Sequence, residues 1–307
     1  MIHNSKLVFF GSSDFSVYVL EELRLHGISP SLIITTPDKP KGRKLVLTPN
    51  VVKLWAKEHD VEALDPASLK NNPDLVYHLK SNDYNLFLVA SYGKIIPKEI
   101  FEIPDKKTLN IHPSLLPKYR GASPIQSQIL NDEKEIGVSI MVITEGMDEG
   151  PVVTQRSLGK VLEKSLAERS EETRGLFERS FSERLGRKEL EKKLAVEGAR
   201  LFAHILPEWM QGVIDPIPQN EEKVTYCKKV TKEDGEIDLN NDPYKNFLKI
   251  KAFEEWPTTY FYTERNGKKT RVIITEADFK DEELKILKVI PEGKKEMPFG
   301  DFLRGKK

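Results

Sequence analysis

A single cysteine, Cys227, stands in a chain of 307 residues. No internal disulfide and no thiolate cluster for zinc or iron can form from it, and the sequence reads as one made in a reducing compartment, the cytoplasm. Long apolar runs are also missing. Met1 to Gly11 hold an apolar stretch too short for a signal peptide, and it leads straight into turn residues as a first core strand does. No later window approaches the length needed to span a bilayer. Net charge is absent as well, with 48 basic and 48 acidic side chains, so bulk charge gives no support to nucleic-acid binding and the distribution matters more than the sum. The segment Gly11-Ser-Ser-Asp-Phe-Ser lacks a Gly-x-Gly-x-x-Gly fingerprint. That argues against a nicotinamide-dependent oxidoreductase, which an alternating strand and helix pattern alone permits.

What is present describes an ordinary globular chain: 38% apolar and 31% charged residues, over a length that predicts about two domains. Lys6–Phe10, Ser31–Thr35 and Asn85–Ala90 are short apolar runs bounded by turn residues, with helical spacing over Phe15–His26 and Asn50–His59. Strands alternating with helices predict a parallel, Rossmann-like α/β sheet, continued by Thr108–His112 and Val138–Ile143. The loops after Phe10, Thr35, Ala90, Ile111 and Ile143 are then expected at a common crevice beyond the strand ends. From about Leu158 to Trp209 the composition turns to Glu, Arg, Lys and Leu with helical periodicity, interrupted by Gly175, Gly186 and Gly198, and an inserted helix is expected within 158–200. Beyond Gly212, short strands with an Asn266-Gly267 hairpin signal predict a small, OB-like β-barrel. The expected domains are 1–205 and 206–307.

Asn110-Ile-His-Pro-Ser-Leu-Leu-Pro-Lys-Tyr-Arg-Gly121 begins at a strand end. On an extended backbone the side chains of Asn110 and His112 leave the same face. A carboxamide can bind an oxyanion, and an imidazole beside it can supply a further donor or move protons. Glu145-Gly-Met-Asp-Glu-Gly150 follows another strand and places Asp148 in a glycine-flanked loop. A carboxylate there can raise the proton affinity of His112 and relay a proton, directly or through water.

NIHPSLLPKYRGASPIQ, with EGMDEGP downstream, closely resembles the folate-dependent formyltransferase family. The resemblance implies Asn110, His112 and Asp148 as catalytic residues and N10-formyltetrahydrofolate as co-substrate, with no metal. It places the folate against Ser114, Leu115, Leu116 and Pro117, and the pterin at the strand end holding Val89, Ala90, Tyr92, Gly93 and Ile95. The basic segment with Lys39, Lys41, Arg43 and Lys44 resembles a loop of the members that act on methionyl initiator tRNA. Residues 225–257 resemble their appended β domain, where Lys228, Lys229 and Lys232 are candidate phosphate contacts. Implied with these are a monomer and no membrane partner. The alternatives are an amino sugar nucleotide as acceptor, and an RNA-binding protein that keeps the scaffold without the reaction.

Overall fold

Four consecutive apolar residues, Leu7–Phe10, form strand β1 with every side chain buried, as a strand covered on both faces requires. The computed structural model describes residues 6–41, 46–159, 185–265 and 267–305. By its contacts the chain divides into two compact units: Met1–Arg120, Gly137–Glu163 and Glu191–Tyr226 form one, and Gly121–Ile136, Lys164–Leu190 and Cys227–Lys307 the other.

In the first unit β1 joins β2 (Leu32–Ile34), β3 (Ala63–Leu64), β4 (Leu86–Val89), β5 (Thr108–His112), β6 (Gly137–Val142) and β7 (Val152–Ser157). They make one seven-stranded sheet of order β7-β6-β5-β4-β1-β2-β3. Strands β1 to β5 pair in parallel, while β6 runs antiparallel to β5 and β7 antiparallel to β6. Chain order reverses between β1 and β4, which makes their carboxyl ends the switch point where open sheets bind ligands. Helices α1 (Asp14–Leu25), α2 (Val51–Glu58) and α3 (Pro73–Ser81) are the crossovers.

The switch point is tightly stitched. The Ser16 hydroxyl accepts the amides of Ser12 and Ser13 at 3.0 and 3.2 Å and donates to the Ala90 carbonyl at 2.6 Å. Gly11 is a packing glycine, since a Cβ there would fall 2.5 Å from the Phe9 ring. Asn50 caps α2 by accepting the Val52 amide at 2.9 Å, and its own amide donates to Thr36 Oγ1 at 3.0 Å. One apolar core, including Val8, Phe10, Ile34, Phe87, Val89 and Tyr92, fills one face of the sheet.

Helix α4 (Arg187–Gln211) packs on a different face of β5. Gly198 was expected to interrupt helical structure, yet it lies inside α4, because a Cβ there would stand 2.4 Å from Cγ2 of Ile111. Ile111 alternates with Asn110 and His112, so α4 lies on the side away from them. The helix also runs across position 205, where the sequence analysis placed a domain boundary. The expected insertion falls mostly on residues 160–184, outside the described ones.

The second unit holds an antiparallel sheet of four strands in chain order: β8 (Thr259–Arg265), β9 (Lys268–Lys280), β10 (Glu283–Pro291) and β11 (Met297–Pro298). Arg265 pairs with Lys268, and Gly267 in the turn has φ 72°, as a two-residue Asn-Gly hairpin demands. Register shifts near Ile274 and Glu276 bend β9. Ile237, Ile250, Phe261, Val272, Ile274, Val289 and Phe302 form the core of this small β domain.

Candidate active site

His112 ends β5 almost fully buried, at 4% exposure, and its Nε2 lies 3.0 Å from the Tyr119 carbonyl oxygen. A carbonyl can only accept, so Nε2 carries the hydrogen. In a neutral ring the other nitrogen, Nδ1, then holds the lone pair. It faces Asp148 Oδ2 at 3.7 Å, too long for a direct hydrogen bond. This narrows the expected role of the ring: neutral His112 is an acceptor toward the site, and becomes a donor there only when charged. Asn110 is half-buried, and its carboxamide makes no side-chain hydrogen bond among the described residues. That leaves an amide N–H uncommitted beside the imidazole.

Asp148 reaches the ring by a route the sequence does not show. With β6 antiparallel, its end pairs with the beginning of β5: Val142 stands opposite Leu109, and the Ile143 amide donates to the Thr108 carbonyl. The loop after Ile143 leaves the sheet there, at the opposite edge from the expected crevice. It must travel back past about four residues of β5, roughly 13 Å at 3.3 Å per residue, to set Asp148 against His112. The return is tight. Asp148 takes φ 52°, in the left-handed region where Asp is among the tolerated residues. A Cβ at Gly150 would lie 1.8 Å from the Val142 carbonyl oxygen, so only glycine lets the loop close onto β6.

The segment Ser114–Pro117 is fixed from below by two polar residues that the sequence did not mark. Ser139, opposite His112 in the ladder, donates to the Ser114 carbonyl at 2.6 Å and accepts the Leu116 amide at 3.0 Å. Gln155 Nε2 donates to the Leu116 carbonyl at 2.6 Å and to Ser139 Oγ at 2.8 Å. Ser114 and Leu116 are buried, with Leu115 and Pro117 half-buried. At the end of β4, Val89, Ala90 and Tyr92 are buried, Gly93 has φ 77°, and Ile95 is 92% exposed. The Tyr92 ring meets Phe10 edge-on at 5.7 Å. Its hydroxyl and that of Thr35, which follows β2, are buried with no hydrogen-bond partner among the described residues.

The profile of the formyl transferase family matches residues 5–180 of the chain. The chain belongs to this family. A methionyl-tRNA formyltransferase of Thermodesulfovibrio yellowstonii is 33% identical to this formyl transferase, over 99% of this chain and 97% of its own. Among solved structures, a methionyl-tRNA formyltransferase from Clostridium thermocellum superposes with a TM-score of 0.57 at 16% identity, over 94% of this chain and 99% of that one. An N-formyltransferase from Helicobacter canadensis, solved with folinic acid and dTDP-3-aminofucose, gives 0.58 at 18% identity, over 92% and 95%. At these identities the two structures speak for the fold alone, which this formyl transferase shares.

The basic residues fall in separate places. Lys39 is exposed on a short strand, Lys39–Lys41, that pairs with Val46–Thr48, while Arg43 and Lys44 lie outside the described residues and nothing is shown of the Lys41 side chain. Lys228, Lys229 and Lys232 are all exposed, in the second unit.

A further network escaped the sequence analysis. The Arg120 side chain, 1% exposed, meets Glu221 at 2.8 and 3.3 Å and donates from Nε to Gln219 Oε1 at 3.0 Å. Burial disfavours the Arg120 charge, but hydrogen bonds to Glu221 and Tyr226 outweigh it and hold the guanidinium pKa above its usual value. Hydrogen bonding to Arg120 in turn keeps the Glu221 carboxyl below the usual range. Arg120 was visible in the motif. Gln219 and Glu221 carried no sequence signal.

Proposed function

We propose that this family member transfers the formyl group of N10-formyltetrahydrofolate to the amino group of methionyl initiator tRNA, as a cytoplasmic monomer. The observation that carries the reading is the approach of two distant segments, with His112 Nδ1 3.7 Å from Asp148 Oδ2 and Asn110 two residues before His112 on the same face of β5. The folate supplies an activated formyl group. Ser114–Pro117, held by Ser139 and Gln155, and the end of β4 at Val89, Ala90, Tyr92, Gly93 and Ile95 are the residues that would hold it. The uncommitted Asn110 amide donates to the formyl oxygen as charge builds on it, an electrostatic contribution that preorganised donors make at low cost. Neutral His112 takes at Nδ1 the proton lost by the amine that attacks the formyl carbon, the Asp148 carboxylate holds the resulting imidazolium, and His112 returns that proton to the folate nitrogen as its bond to the formyl carbon breaks. Tyr119 keeps the ring in the tautomer that makes this possible.

The relatives named as methionyl-tRNA formyltransferases, together with the basic Lys39, Lys41, Arg43 and Lys44 segment, favour a tRNA acceptor over an amino sugar. Lys228, Lys229 and Lys232 add phosphate contacts from residues 206–307. The test incubates the protein with N10-formyltetrahydrofolate and either methionyl initiator tRNA or a dTDP-amino sugar. Formylmethionine released from the tRNA is the expected product. Formylation of the sugar with none on the tRNA would refute the acceptor, and no transfer to either would refute the reaction.

A further inference from the structure

The Gln219 side chain makes three hydrogen bonds, and their chemistry fixes its orientation. Nε2 donates to the main-chain carbonyls of Asp148 at 2.8 Å and Gly150 at 2.7 Å, while Oε1 accepts from Arg120 Nε at 3.0 Å. Turning the amide over would set oxygen against two carbonyl oxygens and nitrogen against a guanidinium, so only one orientation satisfies all three partners. Both Nε2 hydrogens go to the loop that carries Asp148, one on each side of Glu149.

That loop needs a restraint. It has left the sheet, it places Asp148 at φ 52°, and it closes onto β6 through the bare Cα of Gly150. Gln219 itself is anchored nearby, because Ile217 exchanges two backbone hydrogen bonds of 2.8 Å with Val152. Arg120 is anchored as well: its amide donates to the Thr225 carbonyl at 2.9 Å, and the neighbouring Tyr119 amide to Thr225 Oγ1 at 2.8 Å. Tyr119 is also the residue whose carbonyl receives His112 Nε2. Two consecutive residues thus reach both halves of the proton-transfer pair, Tyr119 directly to the imidazole and Arg120 through Gln219 to the aspartate loop.

We infer that Gln219 is a positioning residue for the reaction, one that sets the distance between the Asp148 carboxylate and His112 by clamping the carbonyls on either side of Glu149. The inference rests on the proposed formyl transfer for its activity readout and on the observed geometry for the rest. A misplacement of about 1 Å in a catalytic group can cost roughly 100-fold in rate. Loss of the clamp therefore lowers kcat by about 10- to 100-fold, with KM for folate and tRNA changed by less than about 3-fold.

Two variants separate positioning from mere support. Gln219→Glu keeps the size of the side chain and the acceptor for Arg120, but presents an oxygen to two carbonyl oxygens. Gln219→Met keeps the size and removes every hydrogen bond. Positioning through the loop predicts that Glu is at least as damaging as Met, and that neither lowers kcat further in an Asp148→Ala background. Wild-type activity in Gln219→Glu, or a full additional loss on top of Asp148→Ala, would overturn the proposal. A second readout does not depend on the acceptor: the His112 ring resonances, followed by NMR, should move in Gln219→Met in the same direction as in Asp148→Asn. Unmoved resonances would overturn the clamp even if the protein formylated neither substrate, whereas moved resonances in a protein that leaves tRNA unformylated would uphold it and discard the tRNA reading alone.

Discussion

At the residue scale the site divides labour between a free donor and a committed ring. The Asn110 carboxamide makes no side-chain hydrogen bond among the described residues, so its removal should be felt in turnover more than in folding. Asn110→Ala is expected to lower kcat by about 100- to 1,000-fold, the cost of one lost oxyanion donor, while KM for the folate shifts by less than about 2-fold. Steady-state kinetics at saturating tRNA check this, and a rise in KM alone would make Asn110 a binding residue. Tyr92 carries the opposite signature. Burial pushes its phenol up to about 12, and its hydroxyl lacks a hydrogen-bond partner among the described residues. A raised acid of this kind favours the folded state fully below the unfolded value near 10, and that contribution is lost as pH climbs from about 10 through 12. Tyr92→Phe also removes a buried unpaired hydroxyl worth about 1–3 kcal/mol of destabilisation. The variant should melt higher at pH 8, and its melting point should fall less between pH 10 and 11 than that of the wild type. That Asn110 and His112 share one face of β5 was readable because a strand's period of two is a rule of covalent geometry. Gln219 was not, because its partners are main-chain carbonyls, which every residue possesses and no sequence advertises.

Elements explain why the site has only one way to assemble. Short apolar runs bounded by turn residues located β1, β2, β4, β5 and β6 within a residue or so, since burial on both faces leaves a plain mark. Strand direction leaves no such mark, so the reversal of β6 went unread, and with it the return path of the Asp148 loop. Gly198 misled for a related reason: glycine lowers helix propensity, but close packing of α4 on β5 overrides propensity. Under the proposed mechanism that packing bears on catalysis, because the atom nearest a Cβ at position 198 belongs to Ile111, between Asn110 and His112. Gly198→Val is therefore expected to destabilise the fold by about 1–3 kcal/mol, the usual cost of overpacking, and to reduce kcat at temperatures where the protein remains folded. Thermal melts and rates measured together decide it. A stability loss with unchanged kcat would mean that β5 absorbs the strain without moving Asn110 and His112.

For the whole molecule, a sum of charges equal to zero conceals a local distribution, and an RNA acceptor responds to the distribution. In the fold α4 continues through 205 and residues 121–136 group with the C-terminal strands, a grouping through space that a change of pattern along the chain does not mark. Lys228, Lys229 and Lys232 all lie in the second unit, exposed, on one stretch of chain. If they neutralise phosphates, each releases counterions on binding, and the slope of log affinity against log salt carries about 0.7 to 0.9 per contact. Replacing all three with Ala should make that slope shallower by about 2 to 3 and raise KM for tRNA at moderate salt, with the folate KM unchanged. Asn110→Ala should do the reverse, lowering turnover and leaving the slope alone. Filter-binding titrations across a salt series separate the two effects. A triple variant with the wild-type slope would show those lysines to be solvated surface, and would leave the Lys39 to Lys44 segment as the sole source of phosphate contacts in this proposal.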